Sequence, residues 1–143
     1  MKSMKDRCLI DTNIWLYALI HSKNDENKHQ QAVVFLEDIT SEIVVSTQVV
    51  NEISSNLLRK ANKDNAFLHD FLVEFISSHT VVDQSSDDLL LGSTLRKNFQ
   101  FSFWDSLVIA SALNNDCTVV YSEDMQDGLS VFNRLQILNP LGN

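Results

Sequence analysis

Proline and glycine are scarce in this chain, with one Pro and three Gly among 143 residues. That scarcity leaves little room for a disordered linker or a collagen-like segment. The only two cysteines, Cys8 and Cys117, each fall in an apolar strand-like run, where a small buried thiol is expected rather than a disulfide. Basic residues are outnumbered, 11 Lys and Arg against 19 Asp and Glu, for a formal net charge of -8. Such a balance repels nucleic acid at long range and weakens any model built on a broad basic groove. It does not exclude a metal-assisted site, because clustered acids contribute to the negative total and bound cations would offset their repulsion. No positively charged leader precedes a long apolar stretch, so the chain reads as cytoplasmic and not membrane-spanning. A Gly-rich phosphate loop ending in Lys-Ser or Lys-Thr is absent, as is a Gly-x-Gly-x-x-Gly turn, which removes the simplest support for nucleotide triphosphate hydrolysis and hydride transfer. His21, His29, His69 and His79 form no compact ligand motif with the cysteines, which disfavours zinc.

What is present is a 44% hydrophobic composition in a chain long enough for one domain with a sizeable core. The expected unit is a single domain spanning residues 1 to 143. Short apolar runs at 7–11, 43–45, 81–82 and 117–121, with a last one at 136–138, read as strands, and stretches of helical periodicity lie between them. Regular alternation of this kind favours an α/β fold with a parallel sheet over a helical bundle. Helical spacing runs through residues 28 to 40, and Ser46 or Thr47 can cap the helix that follows the second strand. Phe67, Phe71 and Phe75 repeat every four residues and are expected to pack in the core or between helices. Asp83, Asp87 and Asp88 read as solvated or capping residues near a helix start.

Four carboxylates stand at the places where such a fold gathers side chains. Asp11 follows the first strand, Glu52 flanks the apolar stripe of the helix after the second, Asp105 lies in the first turn of a strongly apolar helix, and Asp124 follows Ser122-Glu123 at the end of the clearest strand. In an open parallel sheet the crevice lies beyond the carboxyl ends of the strands, so these scattered acids can converge. Carboxylates brought together in low dielectric repel strongly, and Mg²⁺ or Mn²⁺, which accept oxygen ligands, would relieve that repulsion. Separate caps and surface charges are the other reading of the same four residues. Asn13 and Ser122 are candidates to donate to a ligand carboxylate, with helix capping and turn stabilisation as their ordinary alternatives. Thr12 shares the capping alternative. Glu123 and Asp127 read as solvent-facing turn residues, and Trp15, Trp104 and Tyr17 as packing residues.

The segments LIDTNIWLYAL at 9–19, STQVVNEISSNLLRK at 46–60, FSFWDSLVIASAL at 101–113 and VVYSEDMQDG at 119–128, with LQILNP at 135–140, resemble PIN-domain ribonucleases, closest to the toxin members of toxin-antitoxin pairs. The resemblance implies a PIN-like three-layer α/β/α fold with a central parallel sheet of about five strands. It places the family's acids at Asp11, Glu52, Asp105 and Asp124, with Mg²⁺ or Mn²⁺ among them. It also implies hydrolytic cleavage of single-stranded or structured RNA that leaves a 5′-phosphate, a cognate antitoxin protein as partner, and self-association as a homodimer. Leu141, where an aromatic residue is frequent in the family, is a departure.

Arg59-Lys60, Lys63 and Arg96-Lys97 are the basic clusters nearest the acids in sequence and are candidates to hold an RNA backbone. The sides of Leu16, Phe35, Leu57 or Leu58 are candidates for a homodimer surface. Two other functions compete. One is a catalytically inactive PIN-like module that binds RNA or protein; the other is a metal-dependent phosphatase or signalling receiver, whose strand order would place the acids differently.

Overall fold

A computed structural model describes residues 6–142. The outermost residues of the expected domain, 1–5 and 143, lie outside the described residues, and so does the beginning of the chain on which the reading of a missing leader rests. The elements follow one another as β1 (Arg7–Ile10), α1 (Thr12–Leu19), a 3-10 turn (Lys23–Asp25), α2 (Glu26–Asp38), β2 (Glu42–Ser46) and α3 (Thr47–Arg59). Then come α4 (Asn65–Ser78), β3 (Thr80–Val82), α5 (Ser86–Asn98), α6 (Phe103–Asn114), β4 (Val119–Tyr121), β5 (Ser130–Val131) and β6 (Leu135–Leu138).

The strands form one sheet in the order β3-β2-β1-β4-β6-β5. Cys8 pairs with Ile43 on one side and Val119 on the other, so β1 lies at the centre in parallel register with β2 and β4. Successive strand residues point to opposite faces. Leu9, Val44, Val120 and Ile137 accordingly join the core under α5 and α6, whereas Cys8, Ile10 and Val45 join the core under α1, α3 and α4. Helices therefore cover both faces, the three-layer α/β/α arrangement expected from the sequence. Both cysteines are free and buried, and burial pushes the Cys8 thiol up to about 11 and the Cys117 thiol up to about 12. Helix α6 is buried at every position from Ser106 to Leu113, as expected of a helix apolar around its whole circumference. It packs closely on α5 at Gly92, where an added Cβ would meet Leu107 Cδ2 at 3.1 Å.

Five strands are parallel, and β5 adds a sixth that runs antiparallel to β6. The chain reverses there because Phe132 and Asn133 both take positive φ, 54° and 53°, while Arg134 N donates to Val131 O at 3.0 Å. Two consecutive residues of positive φ make the primed type I turn that suits a hairpin, here within a three-residue loop, 132–134, between the paired Val131 and Leu135. Its usual sequence mark, Asn-Gly or Asp-Gly, is missing, which is why the sequence does not announce β5.

Several packing expectations need correction. Trp15 is buried and meets Phe75 edge to face at 4.8 Å, but Phe67 is 42% exposed under the ammonium of Lys63. Leu57 is 1% exposed in the core beneath α3 and cannot form a dimer surface. Asp88 caps as expected, in a capping box with Ser85. It is nevertheless buried and not solvated, accepting from Asn114 Nδ2 at 2.8 Å. Among the described residues no helix is long and apolar enough to cross a membrane.

Candidate active site

The strand order dictates where a crevice opens. From the central β1 the chain builds outward to β2 and β3, then returns to β1's other side as β4. The carboxyl ends of β1 and β4 thus flank the point where the winding reverses, the place where ligands bind in open α/β sheets. Asp11 N donates to Tyr121 O at 2.9 Å, carrying the β1–β4 ladder one residue beyond the strands and fixing Asp11 at the lip.

Asp11, Glu52, Asp105 and Asp124 all line one cavity of about 110 Å³, together with Thr12, Asn13, Gln48, Trp104 and Val108. Each acid reaches it by a different local device. Asp11 is the N-cap of α1 and accepts from Thr12 N at 2.8 Å; its other oxygen accepts from Ser122 Oγ at 3.0 Å. Glu52 projects from the flank of α3, whose first turn is capped by Ser46. Asp105 sits in the first turn of α6, three residues after the N-cap Ser102, with Asp105 N donating to Ser102 Oγ at 3.1 Å. Asp124 follows β4 and accepts from Asn13 Nδ2.

The carboxylates are steered by neutral donors rather than by cations. Glu52 Oε2 accepts from Thr12 Oγ1 at 2.9 Å and Glu52 Oε1 from Gln48 Nε2 at 3.2 Å. Gln48 also donates to the carbonyl of Trp104 at 3.2 Å, and its own oxygen accepts from Gln84 Nε2 at 3.0 Å. Thr12 and Gln48 are both buried, so these bonds hold Glu52 in a defined direction. The sequence reading did not single out Gln48 or Gln84. A signal exists for Gln48, which precedes Glu52 by four residues on the same helix face. None exists for Gln84, whose contact depends on the β2–β3 pairing.

Electrostatics mark the same place. Burial raises the Asp11 carboxyl to about 6; the Thr12 amide and Ser122 hydroxyl pull it down, and the Asp105 and Glu52 charges push it up. Burial also raises Asp105, against the Ser102 hydroxyl, with the Asp124 and Glu52 charges adding to the rise. Negative charges on separate segments therefore act on one another across the cavity.

Oxygen donors of this kind suit a hard divalent cation. Among the described residues, however, no three His, Cys, Asp or Glu side chains are already arranged to hold a metal ion. The four acids share one cavity while each is turned toward its own hydrogen-bond donors. The donor chemistry and the unbalanced charge fit Mg²⁺ or Mn²⁺, and closing on an ion requires side-chain adjustment.

Residues around the cavity depart from expectation in two ways. Trp104, expected to pack, is 62% exposed in the cavity wall. Glu123, expected to face solvent, is held by Tyr17, whose hydroxyl donates to it at 2.7 Å, and by an ion pair with Lys28. Asp127 is exposed, as expected of a turn residue, and accepts from Asn139 N at 2.8 Å. Lys60 lines a neighbouring hollow of about 460 Å³ that shares Asn13 and Asp124 with the acidic cavity. Arg96 instead donates to the Phe101 carbonyl at 3.3 Å.

Fold and site together define an α/β protein with an acidic crevice at the carboxyl ends of a mostly parallel sheet. The PIN-domain family model matches residues 8–130, and the chain belongs to the PIN-domain family, a family of nucleases. Its fold is similar to that of a chain in a toxin-antitoxin complex from Klebsiella pneumoniae, with a TM-score of 0.69 and 15% identity over 93% of this chain and 97% of that one. It is also similar to the Sarcin-Ricin loop cleaving toxin VapC20 of Mycobacterium tuberculosis, at a TM-score of 0.66 and 16% identity over 82% of this chain and 89% of the other. A third similar structure is VapBC2 from Rickettsia felis bound to a promoter DNA fragment, with a TM-score of 0.60 and 18% identity over 93% and 98% of the two chains. No curated protein matches the sequence.

Proposed function

We propose that this chain is a Mg²⁺- or Mn²⁺-dependent endoribonuclease that hydrolyses phosphodiester bonds in RNA, and that it acts as the toxin of a toxin-antitoxin pair. The observation that carries this reading is the meeting of Asp11, Glu52, Asp105 and Asp124 in one cavity of a PIN-domain chain. Asp11 and Asp105 are the first choices to hold the ion, with Glu52 and Asp124 completing its surroundings directly or through water. When bound, such an ion neutralises charge around a scissile phosphate and lowers the pKa of an attacking water.

The other residues act on these carboxylates. The Ser122 hydroxyl and Thr12 amide fix both oxygens of Asp11, favouring its ionised form against the burial that opposes it. Thr12 Oγ1 and Gln48 Nε2 orient Glu52, and Asn13 orients Asp124. Donors to ligand carboxylates typically contribute about 10- to 100-fold to metal affinity or activity. Ser122→Ala and Thr12→Val should therefore each lower cleavage by about that factor while leaving the fold intact. Removing Ser122 should also shift the acidic limb of the pH–rate profile upward, because a donor that favours the charged form of Asp11 is lost. An unmoved limb with an unmoved rate would remove Ser122 from the site.

The direct test is incubation of the purified chain with single-stranded RNA in Mg²⁺ or Mn²⁺ beside a chelated sample. New 5′-phosphate ends should form only with the ion. Persistent absence of cleavage, with RNA or protein still bound, would support the inactive PIN-like module instead. The partner of the toxin reading is a cognate antitoxin that covers the acidic crevice, which finds support in the structural likeness to toxin-antitoxin complexes; the chain is also proposed to self-associate as a homodimer. Co-expression with the product of an adjacent small gene should abolish the cleavage.

A further inference from the structure

The acidic cavity has an affinity problem. Asp124 lines it and two flanking hollows, of about 460 Å³ and about 340 Å³, so the three form neighbouring parts of one depression. Among the described residues lining them, Lys60 is the only Lys or Arg. Proteins ordinarily draw most of their nucleic-acid affinity from cations on phosphates. A chain of net charge -8 with one cationic side chain along this depression has little beyond the proposed ion to hold an RNA backbone and needs another source.

The first turn of α6 offers one. Trp104 is 62% exposed and forms part of the wall that holds Asp11, Glu52, Asp105 and Asp124. Phe103 beside it is 46% exposed and meets it edge to face at 5.2 Å. The indole is carried on a fixed mount: Gln48 Nε2 donates to the Trp104 carbonyl, and Ser102, two residues earlier, caps the helix. A single exposed aromatic ring is ordinary on a protein surface. One that adjoins the reactive carboxylates on a rigid helix start, backed by a second ring, is placed to receive a flat apolar face.

We propose that Trp104, supported by Phe103, is the platform on which an unpaired RNA base next to the scissile phosphate stacks. The inference rests on the nuclease reading above and adds a specificity element to it. Stacking is indifferent to backbone charge and available to every base, and it contributes enough per base to change affinity about tenfold or more. It also selects strands whose bases are already unpaired, because a base inside a duplex cannot reach an indole on the surface.

The test uses the full chain carrying Asp11→Asn to silence cleavage, in Mg²⁺, with a short fluorescently labelled single-stranded oligoribonucleotide and its abasic counterpart. Trp15 is 5% exposed and serves as an internal standard that RNA cannot reach. The oligoribonucleotide should quench tryptophan emission, the abasic strand should not, and Trp104→Phe should abolish the quenching while largely retaining affinity. Trp104→Ala should weaken binding about tenfold or more with a nearly unchanged melting temperature, since the residue is 62% exposed. Equal affinity in Trp104→Ala, or equal quenching by the abasic strand, overturns the platform alone and leaves the aromatic pair to a protein partner. No binding of any strand by the chain with Trp104 intact overturns the platform and the nuclease reading together.

Discussion

Asp11→Asn and Asp105→Asn should each reduce metal-dependent RNA cleavage by about a hundredfold or more, with circular dichroism and thermal unfolding showing a folded chain. The magnitude follows from position. Groups that merely orient ligand carboxylates contribute about 10- to 100-fold, and the carboxylates themselves should stand at or above the upper end. Asn conserves shape, and at Asp11 it conserves more than that. The side chain is the N-cap of α1 and accepts from Thr12 N; Asn caps as well as Asp, so the helix start survives. At Asp105 the backbone N–H remains capped by the Ser102 hydroxyl whatever the side chain. Only the negative charge is removed from the cavity. Full cleavage by both folded variants would sink the assignment of these two residues, and loss of cleavage through unfolding would show in the melting curve. The double variant should be little worse than either single one, because groups proposed to hold one ion act as a unit.

The parts of this site that the sequence discloses are those carried by local pattern. Asp11 and Asp124 follow strand-like runs, Asp105 opens a helix and Glu52 flanks the apolar stripe of the helix after the second strand, so local pattern alone puts all four at one end of a parallel sheet. The donors behave differently. Ser122 and Asn13 could be nominated because they neighbour the acids in sequence, but their partners lie 111 positions away in both cases. Gln84 reaches Gln48 only because β3 pairs with β2, a tertiary fact with no local trace. Trp104 shows the opposite failure. Its apolar neighbours suggested burial, yet residues 103 to 105 precede the stretch of α6 where every position is enclosed. Apolar composition identifies a buried helix well and says little about the turn at its mouth. Phe67 fails for a similar reason, standing near the start of α4 beyond the reach of the layer that buries Phe75. Strand β5 is hidden because its hairpin loop, Phe132-Asn133-Arg134, carries no glycine to advertise positive φ.

In chelator, the melting temperature should rise as pH falls from 7 to 5, and saturating Mg²⁺ should abolish that slope. The sign follows from Asp11. Its carboxyl moves from an ordinary 3.8 to about 6 on folding, so the folded chain holds the proton more tightly. The stability this contributes is complete below 3.8 and is lost as pH rises through about 6. A rise of about two units corresponds to a cost on the order of 3 kcal/mol at pH 7. Asp105 is raised as well and acts in the same direction. Glu123 opposes them: despite the burial that raises it, its bonds to Lys28 and Tyr17 leave it below its ordinary 4.5, so its contribution is present above that value and fades only under more acid conditions. The interval from pH 5 to 7 is consequently where Asp11 dominates. Asp11→Asn should flatten the slope and melt several degrees above the unaltered chain at pH 7, since in a chain of this size each kcal/mol is worth about 2–4 °C. Mg²⁺ at a hundred times its dissociation constant should restore about 2.7 kcal/mol to the unaltered chain and much less to the variant. The two measurements separate a carboxylate opposed chiefly by its burial, and further by the Asp105 and Glu52 charges, from one that is merely acidic on the rim. A flat chelated profile, or an Asp11→Asn chain that melts lower at pH 7, would mean that solvent already satisfies these carboxylates and that no electrostatic demand for a cation exists.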